Sequence, residues 1–258
     1  MSNYNDRNLL EREALVDDEI KKAQKQLKYQ YVRTEKEVED YMYRLYDKIK
    51  REAGTEQALV SDLYKFNRYY DMVEKLNTEL DALGSKEKVI FNSRLKNLYV
   101  QNSKLIGEQF GLGTEVNPDL VKEAIKTVCS DGKKWSDRII HKKQLLQSLT
   151  NGMVDCLATG ASHEKLVKTI MQDMGSGYNN ANRLARTELS YIYNKSTFDK
   201  YEEAGIEQYI YLTGRDERTC EVCGALDGIK FNMKDMQVGV NYPPLHSNCR
   251  CTVLAVVK

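Results

Sequence analysis

The sequence predicts a mainly α protein with long amphipathic N-terminal helices and a small α+β unit at its C-terminus. Three observations predict it. Residues 9–53 contain no Gly and no Pro, so nothing there punctuates a helix. Apolar residues recur at spacings of three and four through roughly the first two hundred positions. Beyond residue 205 that period fades, and four of the six cysteines crowd into the segment 220–251.

The elements follow in order. Leu27, Tyr31, Thr34, Val38, Met42, Leu45 and Ile49 form one face of a first long helix, with charges on the remaining positions, and Gly54 interrupts it. A second helix is expected from about Glu56 to Leu83, its stripe made of Leu59, Leu63, Phe66, Tyr70, Val73, Leu76 and Leu80. Gly84-Ser85 reads as a turn. A third runs from about Lys86 to Phe110 with Val89, Leu95, Leu98, Leu105 and Ile106 inward. Gly111-Leu112-Gly113-Thr114 is a loop without the Gly-Lys-Ser/Thr ending of a phosphate loop. Asn117-Pro118 starts the next helix, with Asn as cap and Leu120, Ala124, Ile125 and Val128 inward. A short helix around Leu166–Met174 breaks at Gly175-Ser176-Gly177. Another spans about Asn180 to Lys200, with Ala185, Leu189, Ile192 and Ser196 on one face. Strands are expected at 206–212 and 251–257, and a turn at Asp227-Gly228 between two short strands. Three segments result: an elongated helical region 1–115, a helical domain 116–202 and a β-rich unit 203–258.

Charge narrows the function classes. Lys plus Arg total 39 against 38 Asp plus Glu, a formal net charge of +1, which excludes a strongly basic chain built to coat nucleic acid. It does not exclude a local basic face. The run holding Lys133, Lys134, Arg138, Lys142 and Lys143 beside Trp135 has one acid, Asp137, and reads either as a solvated face or as a contact for nucleic acid or an acidic partner. His141 and His163 lack ligand spacing and read as structural. The first twenty residues are polar and no apolar run reaches about 18 residues, so neither a signal peptide nor a membrane helix is expected. A reducing compartment is the corresponding expectation.

The C-terminal unit carries the chemistry. Two residues separate Cys220 from Cys223, and two separate His246 from Cys249. Each gap lets a pair of donors turn toward one ion, and three sulfurs with one imidazole complete a tetrahedral zinc set. Cys251 is a fifth candidate that could replace Cys249 or His246. The competing readings are reduced buried cysteines, a local disulfide, or a redox pair, the last lacking its usual strand–helix setting. A structural zinc would stabilise a unit too small to hold itself together. Asp216 and Glu217 are the only prompt for a metal-dependent hydrolase, and no catalytic residue is assigned.

Two stretches resemble the minor head, or head morphogenesis, proteins of tailed bacteriophages, the family of phage SPP1 gene product 7 and phage Mu protein F. One is Arg183-Leu184-Ala185-Arg186-Thr187-Glu188 with Asn194. The other runs from Thr213 through Cys220, Cys223 and Leu226-Asp227-Gly228 to Pro243-Pro244-Leu245-His246-Ser247-Asn248-Cys249-Arg250-Cys251. The resemblance covers roughly residues 165–258 and implies a non-enzymatic minor capsid protein. Its partners would be the portal protein, with major capsid or scaffolding protein and double-stranded DNA as further ones. It would sit inside the head near the portal, in the host cytoplasm during assembly, and on the DNA ejection route. Arg183, Arg186 and Glu188 are carried over as the family-motif helix, and at least one of Arg186 and Glu188, two apart and so not facing each other, is expected to reach the zinc unit or a partner. Some relatives fuse this domain to toxin-like enzymes, for which the present chain is expected to leave no room. The alternatives are a DNA-binding accessory protein or, behind it, a metal-dependent hydrolase.

Overall fold

The computed structural model describes residues 2–54, 59–126 and 142–257. Lys133, Lys134, Arg138, Trp135 and His141 of the basic run lie outside them, as do Glu56, Val128 and Cys129. The chain is mainly helical, with a small mixed α/β region at its C-terminal end. Among the described residues no helix is long and apolar enough to cross a membrane.

Two compact units form: the described residues of Lys25–Val89 with Arg138–Ala181, and those of Met1–Gln24, Ile90–Asp137 and Asn182–Lys258. Helices α1 (Ser2–Ala53), α3 (Arg68–Gln109) and α6 (His163–Glu203) each contribute to both. Between them lie α2 (Val60–Tyr64), α4 (Pro118–Lys126) and α5 (Lys142–Thr159).

In the unit containing Lys25–Val89, the stripe of α1 is buried as its period predicts: Leu27, Val38, Met42 and Ile49 are fully covered. Gly54 ends the helix with φ of 63°, the left-handed conformation that glycine enters without penalty. The next stripe departs from expectation. Phe66 and Asn67 have φ of 55° and 60°, so the chain kinks between α2 and α3 and the helical phase restarts. Leu63, Leu76 and Leu80 are buried, but Leu59, Phe66 and Tyr70 face solvent, Phe66 at 81% exposure.

Neither glycine turn forms. Helix α3 runs straight through Gly84-Ser85, and α6 through Gly175-Ser176-Gly177. One helical glycine costs about 1 kcal/mol, less than a buried Leu returns, and Leu80, Leu83 and Ile90 flank the first site while Ile170, Met174 and Ala181 flank the second. Gly177 also has a packing reason. A Cβ there would lie 3.1 Å from Tyr31 Cε1 and 3.2 Å from Leu145 Cδ2, and the Tyr31 hydroxyl donates to its carbonyl at 3.0 Å. A Cβ at Gly175 meets nothing within 4 Å. Gly175→Ala should therefore stabilise the protein by about 0.5–1 kcal/mol, whereas Gly177→Ala should destabilise it despite the same gain in helix propensity. Urea unfolding of the two variants reads the opposite signs.

The other unit holds the sheet. Strands β1 (Gln208–Leu212), β2 (Lys230–Asn232) and β3 (Thr252–Ala255) pair antiparallel in the order β2-β1-β3. Tyr209, Tyr242, Tyr201, Val253 and Ile106 form its core, with Phe110 and Phe198 packed against them. Asn117 caps α4 through Oδ1, which accepts from the Asp119 amide at 2.9 Å. Leu95, Leu98, Ile106 and Ala124 are buried as expected, but Val89 (in the unit with Lys25–Val89) and Leu120 are exposed, and Val121 is buried in place of Leu120. The segment before Asp227-Gly228 is a helical turn, α7 (Glu221–Gly224), and not a strand. Asp227 is consumed in closing the loop: its Oδ1 accepts from the Thr213 amide at 2.9 Å and from the Thr213 hydroxyl at 3.1 Å.

Candidate metal centre

Cys220 caps α7. Its Sγ accepts from the Cys223 amide at 3.4 Å, so the two-residue gap closes into one helical turn with both sulfurs on the same side. That amide bond holds the Cys220 thiol below its ordinary pKa, helped by His246. The second arm arrives after the cis Pro243-Pro244 bond. The His246 carbonyl accepts from the Cys249 amide at 3.2 Å, and Asn248 turns the chain with φ of 61°.

The two arms meet. His246 Nε2 lies 3.3 Å from Cys220 Sγ and 3.3 Å from Cys223 Sγ, and Cys223 Sγ lies 3.9 Å from Cys249 Sγ. Zinc bond lengths give tetrahedral edges of about 3.6 Å between sulfur and nitrogen and about 3.8 Å between sulfurs, so these separations suit one ion. His246 Nδ1 donates to the Ser247 carbonyl at 2.9 Å, which fixes the tautomer that leaves Nε2 as the donor atom. The donors form two triads sharing Cys223: Cys220, Cys223 and His246, and Cys223, Cys249 and Cys251, each with its ligand atoms within 4.8 Å of one another. The cluster can therefore hold a metal ion, with the place beside the first triad open to Cys249 or Cys251.

Beneath it sits Tyr211, fully buried, whose hydroxyl reaches Cys223 Sγ at 3.5 Å. Burial pushes the Cys223 thiol up to about 11. Cys249 moves the other way, held down first by a hydrogen bond from the Cys251 thiol, whose own pKa rises in turn. At His246 burial disfavours the cation, but the Ser247 carbonyl and the neighbouring sulfurs outweigh it and raise the pKa.

Helix α6 runs beside this unit and carries Arg183, Arg186, Thr187, Glu188 and Asn194. Thr187 Oγ1 accepts from the Asn248 amide at 3.0 Å. Asn194 is fully buried: its Nδ2 donates to the Cys251 carbonyl at 3.2 Å and its Oδ1 accepts from Thr252 Oγ1 at 3.1 Å. Its carbonyl accepts from the Tyr242 hydroxyl at 2.7 Å. Sequence reasoning assigned Thr187 and Asn194 no role. The available signal was a polar series, Thr187, Ser190, Asn194 and Thr197, at helical spacing beside the apolar one. Glu188 is buried, Arg183 is exposed, and Arg186 lies in a cleft with Arg218, Asn248, Cys249 and Arg250.

The expected basic surface is altered at Lys142, in the unit with Arg138–Ala181. Its Nζ lies 2.8 Å from Glu87 Oε1 and 2.6 Å from the Tyr31 hydroxyl, and burial lowers its pKa against the pull of Glu87. Both partners are buried, so Lys142 belongs to an interior ion pair, while Lys143 is exposed.

Residues 147–254 match the family model described as Phage Mu protein F like protein. The chain is also similar to the NAD(+)–arginine ADP-ribosyltransferase EFV of Enterococcus faecalis, 27% identical over 159 residues. That alignment covers 55% of this chain and 32% of the relative, so the match spans about a third of that protein's length. No solved structure matches.

Proposed function

We propose that the chain is a non-enzymatic minor capsid protein of a tailed bacteriophage, acting in head morphogenesis. The observation that supports this reading most is the family match over 147–254, a span that takes in both cysteine triads and the whole of α6. In this reading the portal and the inner surface of the procapsid are the partners, with packaged DNA as a further contact, and the protein sits inside the head near the portal.

The metal of the reading is zinc, held by Cys220, Cys223, His246 and Cys249, and it supplies a cross-link between the two arms of the small unit. Cys251 then donates its S–H to the Cys249 thiolate. Catalysis would require an open coordination position and a general base. Five candidate donors compete for four places. Asp216, in the loop that leads to Cys220, is held down to about 2 by Arg250 and then Arg218, which makes it a poor base.

Co-sedimentation tests the proposal. The protein should travel with purified procapsids and virions and with isolated portal, and should transfer no ADP-ribose from NAD(+) to arginine. Absence from both particles sinks the capsid role, and a measured transfer sinks the non-enzymatic one.

A further inference from the structure

A cleft of about 200 Å³ opens between the N-terminal part of α1, helix α6 and the Cys/His unit, all within one compact unit. Four cations line it: Lys21, Arg186, Arg218 and Arg250. They come from four separate segments, so their convergence is a product of the fold. Asp17 is the only acid in the wall. Asp216, behind it, binds Arg250 and also lies 3.5 Å from Arg218, which holds two guanidinium groups in place with one charge. Four cations less these two carboxylates leave two positive charges. If zinc is held by three thiolates and a neutral imidazole, that centre adds one negative charge, and the cleft stays positive. Among the described residues Arg186 forms no ion pair, although it stands beside this acid-containing wall.

Arginine presents several N–H donors in a planar fork suited to phosphate oxygens, and the side chains of Ser190, Asn248 and Gln24, whose amide also donates to Asn182 Oδ1, share the same wall. The volume admits one tetrahedral anion and is too small for most organic ligands. We propose that this cleft binds a single phosphate group, carried on a nucleic-acid backbone or as a free or terminal phosphate. The site is separate from the Lys133–Lys143 run and does not depend on the capsid reading, since a protein absent from virions would still show it.

The test uses the full metal-loaded chain. Inorganic phosphate is titrated by calorimetry, and a short fluorescein-labelled DNA duplex by anisotropy over a range of salt. Arg186→Gln and Lys21→Gln should each weaken phosphate binding about tenfold, while Lys104→Gln, which removes a charge from an exposed position outside the cleft, should not. If duplex binding weakens in parallel and its salt slope falls by about one, the phosphate is that of the backbone. If only phosphate binding falls, the site takes a free or terminal phosphate, and the proposal stands in that form. It is overturned if the wild-type chain shows no saturable phosphate binding, or if both cleft variants bind within about twofold of it. It is also overturned if Arg186→Gln loses the metal, which would assign the arginine to charge balance at the thiolates.

Discussion

Replacing Cys223 with Ser should abolish metal binding and unfold the C-terminal unit, the largest effect expected of any single substitution in this chain. Cys223 is the donor common to both triads, so its loss leaves Cys220 and His246 on one side and Cys249 and Cys251 on the other without the sulfur that joins them. Beside the apolar core around Tyr209 and Tyr242, the cluster is what joins the two arms of the unit. Its strands are five, three and four residues long, and the cysteine cluster is itself part of the packing, with Tyr211, Leu226 and Leu245 around it. Structural zinc in small domains is worth on the order of 10 kcal/mol in apparent binding energy, far more than three short strands supply. A chelator should therefore remove the near-UV signal of Tyr209, Tyr211 and Tyr242, and Cys223→Ser should lack it from the start. Acid should do the same, because protons compete with the metal for thiolates and imidazole as pH falls. Cys156→Ser is the control: Cys156 is buried, outside the cluster, and should keep the full metal content at a cost of about 1 kcal/mol. Stoichiometry in Cys249→Ser and Cys251→Ser then identifies the fourth donor. Full metal retention in Cys223→Ser would remove Cys223 from the ligand set, and a wild-type chain that binds no zinc would sink the metal reading.

The helical stripe of α1 and the spacing of the Cys and His residues were legible because both are local patterns. A period of three to four maps directly onto one face of a helix, and a two-residue gap maps onto one turn. The glycines misled because local propensity is a small quantity beside burial. Gly84 and Gly177 look like breaks only if the cost of about 1 kcal/mol stands alone, and the buried neighbours that outweigh it lie in other segments. Phe66 misled for the opposite reason: a two-residue excursion to positive φ changes the phase of everything around it, and only Asn67, a residue type that enters that region readily, marks it in the sequence. Lys142 could not have been read correctly without Glu87, fifty-five positions away in sequence. Arg186 is the same case, since its neighbours Arg218 and Arg250 reach it only through the fold.

Asn194→Ala should destabilise the unit that carries the sheet by about 2–4 kcal/mol. The side chain is fully buried and joins α6 to the strand segment that begins with the last cysteine, donating to the Cys251 carbonyl and accepting from the Thr252 hydroxyl. Truncation leaves both groups buried beside a cavity. An unsatisfied buried group costs roughly 1–3 kcal/mol, and Asn194, Thr252 and Cys251 are all covered. Asn194→Asp should be worse, because it keeps the acceptor for Thr252 but turns the donor facing the Cys251 carbonyl into a second acceptor and buries a charge. Thr187→Ala provides the contrast. It removes the hydroxyl that accepts from the Asn248 amide, but that amide is exposed and can turn to water, so the cost should stay below about 1 kcal/mol. The metal gives a second readout. Cys251 is the residue Asn194 holds, so the alanine variant should release its metal to a weak chelator faster than Thr187→Ala does. An unfolding free energy for Asn194→Ala within about 0.5 kcal/mol of the wild type would show that the Asn194 side chain does not carry the join between the helix and the cysteine unit.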